Sequence, residues 1–207
     1  MRETGKRNNG EVKDEKTQLR VRLRGFRREL SQAVVEEKSR LIFERLSECI
    51  SFQQAKSIVL YSADENEVQT EAIWCEASQL NKAVYYPRIT ADKTNLEFVR
   101  RVSGQQLVPG MFGILIPPGN DLLTSVSETD VVLTPGVGFD LRGHRLGRGR
   151  GYDARACRGV LAGALRIALA YEGQLVSAIP TTADDESVHF IATETRFIHC
   201  AVESQRE

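Results

Sequence analysis

Short apolar runs rich in β-branched residues alternate along the chain with segments whose apolar residues recur at helical spacing. Ser57–Tyr61, Lys82–Tyr86 and Asp130–Thr134 are runs of the first kind, each short enough to be a buried strand. Leu19 and Leu23 belong to a stripe of the second kind. Strands that alternate with helices predict the α/β class. We therefore expect one three-layer domain in which helices flank a mainly parallel central sheet.

The rest of the pattern predicts the other elements. Four helices are expected: one that begins near Lys16, one with the stripe Leu41, Ile42, Leu46 and Ile50, one over Thr70–Leu80, and one with the stripe Val160, Leu161, Ala164 and Leu165. Four more strands are expected, the first of them at a sheet edge: Leu96–Val99, Arg166–Ala170, Phe190–Thr193 and Phe197–Val202. Pro87 is expected to end the strand that precedes it.

The length of 207 residues predicts one domain or an unequal pair of domains. Residues 1–15 are polar and charged, so we predict a disordered tail there and a single domain over residues 16–207. That opening segment lacks the apolar stretch of a secretory signal. The longest apolar stretch of the chain is short and contains Arg166, which argues against a membrane span.

The charge balance and the cysteines exclude several classes of protein. The 28 basic and 28 acidic side chains cancel, whereas a nucleic-acid or membrane-surface binder usually has an excess of one sign. The four cysteines lie far apart, without the CxxC spacing of a zinc or redox site. We predict free thiols and a cytoplasmic location.

The stretch from residue 134 to 158, TPGVGFDLRGHRLGRGRGYDARACR, contains a loop rich in glycine and arginine that runs from Gly138 to Gly151. It follows a predicted strand and leads into a predicted helix. Glycines allow backbone N–H groups to turn toward an anion, and arginines match phosphate oxygens with forked donors. The loop fits neither GxxxxGK[ST] nor GxGxxG. Two interpretations therefore stay open, a phosphate site and a flexible, solvated basic loop.

Lys16 and Arg20 are four residues apart on the first predicted helix and share one face of it. An anion between them would offset their mutual repulsion, but a solvated face is the more common reason for such a pair. The arginines of the loop also admit an RNA-binding module. The chain lacks the stacking aromatics and the GxxG platform that such modules use.

Two groups of carboxylates complete the candidates. Asp64, Glu65 and Glu67 follow the first predicted strand, where ligands of α/β sheets bind, although Glu67 also suits a helix start. Asp184 and Asp185 stand together in a loop. Adjacent carboxylates can hold Mg²⁺ together with phosphate oxygens, or can simply belong to a solvated turn.

The loop sequence TPGVGFDLRGHRLGRGRGYDAR resembles the signature of the 5-formyltetrahydrofolate cyclo-ligase family, roughly PGvaFDxxGxRLGxGxGYYDR. Shorter similarities lie in the same order along about residues 16–195. They are KxxLR at residues 16–20, the segment at 61–70, FGI at 112–114, and the late Gln174, Pro180 and Asp185. The glycine motif is specific, whereas the other matches are weak one by one.

The resemblance implies an enzyme that uses ATP and Mg²⁺ to cyclise 5-formyltetrahydrofolate to 5,10-methenyltetrahydrofolate, with release of ADP and phosphate. It also implies a cytoplasmic protein, monomeric or weakly dimeric, with the fold of ribose-phosphate isomerases and CoA-transferases. ATP and the folate would be its partners, with no nucleic acid and no membrane.

The resemblance also assigns roles to residues. The implied ATP-binding residues are Lys16, Arg20, Arg145, Leu146, Gly147, Arg148, Gly149, Arg150, Gly151, Tyr152 and Asp153. The implied folate-binding residues are Glu67, Gln69 and Tyr152. Arg145, Arg150 and Asp153 would be catalytic, and Asp153 and Asp185 would hold Mg²⁺.

The chain departs from the family pattern at two places. The family's GYYD is shortened to Gly151-Tyr152-Asp153, and Ile116 stands where members often have glutamate. With a gap in the alignment Asp153 takes the place of the metal-binding aspartate, and without one Ala154 does. We adopt the gapped alignment. The alternative function is a non-catalytic relative that binds nucleotide or folate without turnover.

Overall fold

The computed structural model describes residues 9–127, 130–149 and 151–201, and Arg150 lies outside these residues. Its helices are α1 (Asn9–Glu29), α2 (Gln32–Ser47), α3 (Ile50–Gln54), α4 (Glu71–Gln79) and α5 (Tyr152–Arg158). Its strands are β1 (Ser57–Val59), β2 (Ala83–Ile89), β3 (Leu96–Arg101), β4 (Val108–Pro109), β5 (Leu115–Ile116), β6 (Val131–Thr134), β7 (Gly138–Phe139), β8 (Arg145–Leu146), β9 (Leu165–Leu169), β10 (Phe190–Ala192) and β11 (Phe197–His199).

A seven-stranded sheet in the order β11-β10-β9-β6-β1-β2-β3 is the centre of the described fold. The strands from β10 to β2 are parallel, and β3 and β11 are antiparallel strands at the two edges. Two small hairpins, β4–β5 and β7–β8, lie outside this sheet. The prediction of a single α/β domain with a mainly parallel central sheet is confirmed.

Helices and loops cover the two faces of the sheet. Ile42 and Leu46 of α2 and Ile73 of α4 pack with the side chains of β1 and β6 that point to one face. On the other face, Ala156 of α5 packs with Val132. The arrangement follows from the all-apolar strands, since a parallel sheet has to be covered on both sides.

The first helix begins earlier than predicted. Helix α1 starts at Asn9 and not near Lys16, so residues 9–15 are helical and the tail predicted over residues 1–15 is wrong for that part. Val12 explains the extension, because its side chain is buried and adds a turn to the apolar stripe. Residues 1–8 lie outside the described residues.

Three details of the predicted elements are wrong. Ile50 is exposed and starts the separate helix α3 instead of continuing the stripe of α2. Strand β2 continues through Pro87. The last residue of β2 that pairs with β1 is Tyr85, so no β1 carbonyl lacks a partner when Pro87 has no N–H to donate. The helix predicted around Val160 and Leu165 is wrong, because α5 has already ended at Arg158. The backbone N–H of Gly159 donates to the carbonyls of Arg155 and Ala156 and closes the helix there.

The strands that follow β1 and those that follow β6 are added to the sheet in opposite directions, although β1 and β6 themselves are parallel. From β1 the chain moves to β2 and β3 on one side, and from β6 it moves to β9 and β10 on the other. Loops that leave the carboxyl ends of two such strands diverge and open a crevice, which is where ligands of open α/β sheets bind. Among the described helices, none combines the length and the apolar character needed to cross a membrane.

Candidate functional site

A cleft of about 850 Å³ opens at this reversal point. Tyr61, Ser62 and Asp64 line it from the end of β1, and Pro135 and Gly136 line it from the end of β6. The volume is in the range of sites for small molecules. The glycine and arginine loop, whose interpretation was open in the sequence, therefore forms one wall of a cavity.

The backbone of the loop needs its glycines. Gly149 and Gly151 have φ angles of 101° and 70°, which residues with a Cβ adopt only with strain. Gly151 lies directly before Tyr152, the first residue of α5, and there the chain turns from the loop into the helix.

A buried aspartate fixes the hairpin from which the loop extends. Asp140 is fully buried and accepts the backbone N–H groups of Arg142, His144 and Ile179. Two of these donors belong to the turn between β7 and β8, and the third comes from a distant segment of the chain. The bonds therefore hold the β7–β8 hairpin in one position relative to the rest of the fold.

Arg145 and Asp153 face each other across the loop. The guanidinium of Arg145 donates from Nη1 to the carbonyl of Pro135 at 2.9 Å and to Oδ2 of Asp153 at 3.0 Å. The Arg145 side chain is 9% exposed, whereas that of Asp153 is 43% exposed. Both residues line the cleft. A buried cation is thus held at the end of β6 beside an accessible carboxylate.

Arg148 bridges the loop to the segment after β1. Its Nη1 lies 2.9 Å from Oδ2 of Asp64, and its Nη2 lies 2.8 Å from Oε1 of Glu67. Burial raises the pKa of Glu67, although Arg148 and Arg27 both pull it down. Arg148 and Glu67 are therefore paired with each other in the structure, although the family resemblance assigns Arg148 to ATP and Glu67 to the folate.

Helix α1 brings two more cations to this region. Lys16 is buried and forms a salt bridge with Asp185, which lines the cleft, although Lys16 itself is not among the lining residues. Arg20 lines the cleft and donates from Nε to the carbonyl of Gly147 at 2.9 Å. Partial burial alone would raise the pKa of Asp185, but the hydrogen bonds from Lys16 and Thr182 lower it below its usual value. The helix face that the sequence marked as a possible anion site therefore meets the glycine loop and the late aspartate.

A second part of the cleft lining is mainly apolar, although Arg88 also belongs to it. Side chains from the β2 and β3 strands and from the β4–β5 hairpin form it: Pro87, Ile89, Leu96, Met111, Phe112, Ile114 and Ile116. Phe112 is largely exposed and has a φ of 59°, so the hairpin presents an aromatic ring at the surface. The charged lining residues that the structure describes are seven arginines and six carboxylates, so their charges nearly balance. The part formed by the glycine and arginine loop is called the cationic side below, and the part described here is called the apolar side.

Besides Lys16, two of the expected site residues that the structure describes, Leu146 and Gln69, are not among those that line the cleft. The Leu146 side chain is 1% exposed and packs in the core with Leu23 and Ile179, because β8 directs it inward. Gln69 is half-buried, and its backbone N–H donates to a serine hydroxyl of α2. Arg150 lies outside the described residues, so its predicted roles in binding and catalysis stay predictions.

Tyr152 does line the cleft. Its hydroxyl donates to the carbonyl of Lys93 at 2.9 Å, and the guanidinium of Arg155 lies 5.0 Å from its ring centroid. The ring is therefore held at the rim between α5 and the turn that joins β2 to β3. The three glycines that the resemblance implies as ATP-binding residues also line the cleft: Gly147, Gly149 and Gly151.

Several cleft residues were not among the candidates expected from the sequence. Arg24 is one of several basic residues of α1 and Arg88 is the basic residue of β2, and the packing of these elements brings them to the cavity. Arg155 and Arg158 of α5 belong to the arginine-rich stretch, and they also line the cleft. The helical spacing of Arg20 and Arg24, four residues apart, would have indicated that Arg24 shares the face of Arg20.

The cleft carboxylates suit a hard cation only in part. In the described residues there is no group of three or more His, Cys, Asp or Glu side chains placed to hold a metal. Asp185 receives the bonds from Lys16 and Thr182 on Oδ2, and Asp153 receives Arg145 on Oδ2. Mg²⁺ commonly takes one or two protein carboxylates and completes its shell with water and phosphate oxygens. One of these carboxylates would therefore be enough for Mg²⁺ that is bound together with a phosphate ligand, whereas a site made of protein side chains alone is not present in the described residues.

Comparison with known proteins gives a consistent set of relatives. Residues 12–194 match the sequence profile of the 5-formyltetrahydrofolate cyclo-ligase family. The chain is 30% identical over 167 residues to the 5-formyltetrahydrofolate cyclo-ligase of Haemophilus influenzae, with 79% of this chain and 89% of the relative covered. It is 29% identical over 188 residues to the mouse 5-formyltetrahydrofolate cyclo-ligase, with 83% and 93% covered.

A solved structure is similar over nearly the whole length. The NMR structure of the 5,10-methenyltetrahydrofolate synthetase of Aquifex aeolicus superposes with a TM-score of 0.75 at 29% identity. The match covers 93% of this chain and 96% of that protein. A 5,10-methenyltetrahydrofolate synthetase from Mycoplasma pneumoniae, 21% identical, has the same fold with a TM-score of 0.67, and 87% of this chain and 99% of that one are covered.

Proposed function

Since the chain belongs to the 5-formyltetrahydrofolate cyclo-ligase family, we propose that it cyclises 5-formyltetrahydrofolate to 5,10-methenyltetrahydrofolate with ATP as the second substrate. ADP and inorganic phosphate are the other products. The observation that carries this proposal is the lining of the cleft, in which an arginine-rich glycine loop and a group of apolar side chains border one cavity. A reaction between a nucleoside triphosphate and a flat, partly apolar cofactor needs both surfaces in one cavity.

The cationic side suits the phosphates of ATP. Arg20 and Arg145 present guanidinium groups to the cleft, and Gly147 and Gly149 allow a close approach of the backbone. Arginine forks match phosphate oxygens in geometry and stay charged at any physiological pH. Phosphoryl transfer depends chiefly on positioning and on neutralising charge. The chain can therefore promote it without a covalent nucleophile.

The apolar side suits the folate. The pterin and benzoyl rings would pack on side chains of the β4–β5 hairpin such as Met111 and Phe112. The carboxylate of Glu67, at the end of the wall, can accept the N–H groups of the pterin, and Tyr152 would cover the ring from the rim. We assign the pterin contact to Glu67 and not to Gln69, because Glu67 lines the cleft and Gln69 is not among the lining residues.

The proposed chemistry has two steps at this interface. The formyl oxygen attacks the γ-phosphorus of ATP, so that an O–P bond forms and the bond to ADP breaks. N10 of the folate then attacks the activated formyl carbon, loses its proton, and expels inorganic phosphate as the ring closes. Arg145 neutralises charge on the transferred phosphoryl group, and Asp153 keeps the Arg145 guanidinium turned toward the cleft.

The carboxylates of Asp153 and Asp185 would hold Mg²⁺ with the phosphates. When bound, the cation would neutralise phosphate charge beside the arginines. The oxygens left for it are the Oδ1 atoms, because the basic partners of both residues occupy Oδ2. Lys16 and Arg145 then orient the two carboxylates from behind.

A direct assay tests the proposed function. The protein is mixed with 5-formyltetrahydrofolate and MgATP, and the ultraviolet absorbance of the methenyl product is followed. We expect product and ADP in equal amounts, with no product when ATP or Mg²⁺ is left out. Binding of both substrates without turnover would contradict the proposal and identify a non-catalytic relative, the alternative that the shortened Gly151-Tyr152-Asp153 motif raises.

Replacement of Arg145 by alanine is expected to raise the KM for ATP about tenfold or more. The loss of one charged hydrogen bond costs about 1.5–3 kcal/mol, and about 1.4 kcal/mol corresponds to a factor of ten. Steady-state kinetics at saturating folate measure the effect.

Arg142→Ala is the matched control. Arg142 belongs to the same loop sequence, but its side chain is half exposed, lies 3.6 Å from the Asp140 carboxylate and is not among the residues that line the cleft; the backbone N–H groups that hold Asp140 stay in this variant. We expect its KM for ATP to stay within about twofold of the wild-type value, as for a surface substitution. Equal kinetics for Arg145→Ala and Arg142→Ala would contradict the phosphate contact.

A further inference from the structure

Arg27 of α1 is an unusually placed arginine, because its side chain is only 2% exposed. Its Nε donates to the carbonyl of Glu65 at 2.8 Å, and its Nη1 reaches both Oε1 of Glu67 and the carbonyl of Gly136 at 3.4 Å. Its Nη2 lies 3.5 Å from Oε2 of Glu65, too far for a full hydrogen bond. One buried guanidinium therefore ties α1 to the loop after β1 and to the end of β6.

Glu67 receives two cations on the same oxygen. Arg27 approaches Oε1 from the protein interior and Arg148 approaches it from the cleft, at 2.8 Å. The other oxygen, Oε2, accepts the backbone N–H of Asp64 at 3.2 Å. The carboxylate of Glu67 is 6% exposed, so it needs compensating positive charge to remain ionised.

The two cations differ in their freedom to move. Arg148 lies on the glycine loop, is 37% exposed and lines the cleft where the proposed function brings the phosphates of ATP. Arg27 is enclosed and is not among the lining residues. A triphosphate that draws Arg148 away leaves Arg27 as the cation that stays on Glu67.

We propose that Arg27 is a positioning residue for folate binding, which keeps the Glu67 carboxylate ionised and oriented when ATP engages Arg148. This inference rests on the proposed function, because it takes Glu67 to be the pterin contact. Arg27 does not touch either substrate in this proposal. Its effect is confined to the folate and passes through Glu67.

A double-mutant cycle between Arg27→Lys and Glu67→Gln tests the proposal, with the dissociation constant for 5-formyltetrahydrofolate in the presence of a non-hydrolysable ATP analogue as the readout. Lysine keeps the charge of Arg27 but loses the fork that reaches three partners. We expect Arg27→Lys to weaken folate binding about three- to tenfold in the wild-type background and less than about twofold beside Glu67→Gln. The affinity for the ATP analogue should not change.

Arg28→Lys serves as the control on the same helix. Arg28 is mostly exposed and lies 3.6 Å from Glu65, and none of its described contacts is with Glu67. It should leave folate affinity unchanged. The pH dependence gives a second readout: Arg27→Met should move the loss of folate affinity on acidification to higher pH, because a buried carboxylate without its cation is protonated more easily.

Equal losses of affinity from Arg27→Lys in both backgrounds would overturn the inference and indicate a merely structural role. The same conclusion follows if the affinities for folate and nucleotide fall together. If the wild-type protein turns over substrate and Arg27→Lys binds folate with normal affinity, the inference is wrong and the proposed function still stands. Wild-type protein that does not bind 5-formyltetrahydrofolate at all would overturn the proposed function, and the inference with it.

Discussion

Replacement of Asp153 by asparagine is expected to reduce turnover about a hundredfold or more while folate binding stays nearly intact. Asp153 is an accessible carboxylate in the cleft and accepts a hydrogen bond from Arg145. Asparagine keeps the size of the side chain but removes the charge that pairs with the Arg145 guanidinium and that would hold Mg²⁺ in the proposed function. A displacement of reacting groups by about 1 Å can cost on the order of a hundredfold in rate.

The measurement compares the turnover number at saturating substrates with the equilibrium affinity for 5-formyltetrahydrofolate. Asp121→Asn makes the same chemical change at an exposed aspartate that pairs with Arg100 and is not among the residues that line the cleft. It should turn over like the wild type. Normal turnover of Asp153→Asn would show that the gapped alignment is wrong and that the carboxylate of Asp153 has no part in the reaction.

Replacement of Gly143 by alanine is expected to lower the free energy of unfolding by about 3 kcal/mol or more. Gly143 has a φ of 86°, and a Cβ at this position would lie 2.3 Å from the carbonyl oxygen of Val188 and 3.0 Å from Cβ of Cys200. The left-handed backbone costs about 1–2 kcal/mol for a residue with a Cβ, and overpacking adds about 1–3 kcal/mol. Chemical denaturation gives the free energy of unfolding.

Gly104→Ala separates the two contributions. Gly104 has a similar φ of 81°, but a Cβ at this position would meet no described atom within 4 Å beyond its two chain neighbours. We expect a loss of about 1 kcal/mol from backbone strain alone. If Gly143→Ala and Gly104→Ala lowered the free energy of unfolding equally, the close approach of Gly143 to Val188 would make no contribution to stability.

Elements set by local pattern were predictable from the sequence. The apolar run at Asp130–Thr134 indicated a buried strand, and it is β6. The glycines of the following loop predicted a backbone that can turn its N–H groups, and Gly149 and Gly151 have positive φ angles that glycine adopts readily. Both predictions succeed because strand propensity and glycine's conformational freedom act within a few residues.

Predictions of the residue at which a helix or strand ends were less successful. The apolar residues Val160 to Leu165 match a helix in spacing, yet the helix has already ended at Gly159. Leu161 is buried all the same, in a turn that packs against the sheet. Periodicity reports burial, and a buried turn next to a glycine satisfies the same pattern as a helix.

The sequence by itself determined the α/β class, the glycine and arginine loop as a candidate phosphate site, and the family resemblance, since each depends on residues that are close together in the chain. Only the tertiary structure decided which side chains meet. It pairs Lys16 with Asp185 and Arg148 with Glu67, and it encloses Arg27 behind that carboxylate. These outcomes depend on the order of the strands and on the packing of α1 against the β7–β8 hairpin, which long-range burial fixes and local propensity does not encode.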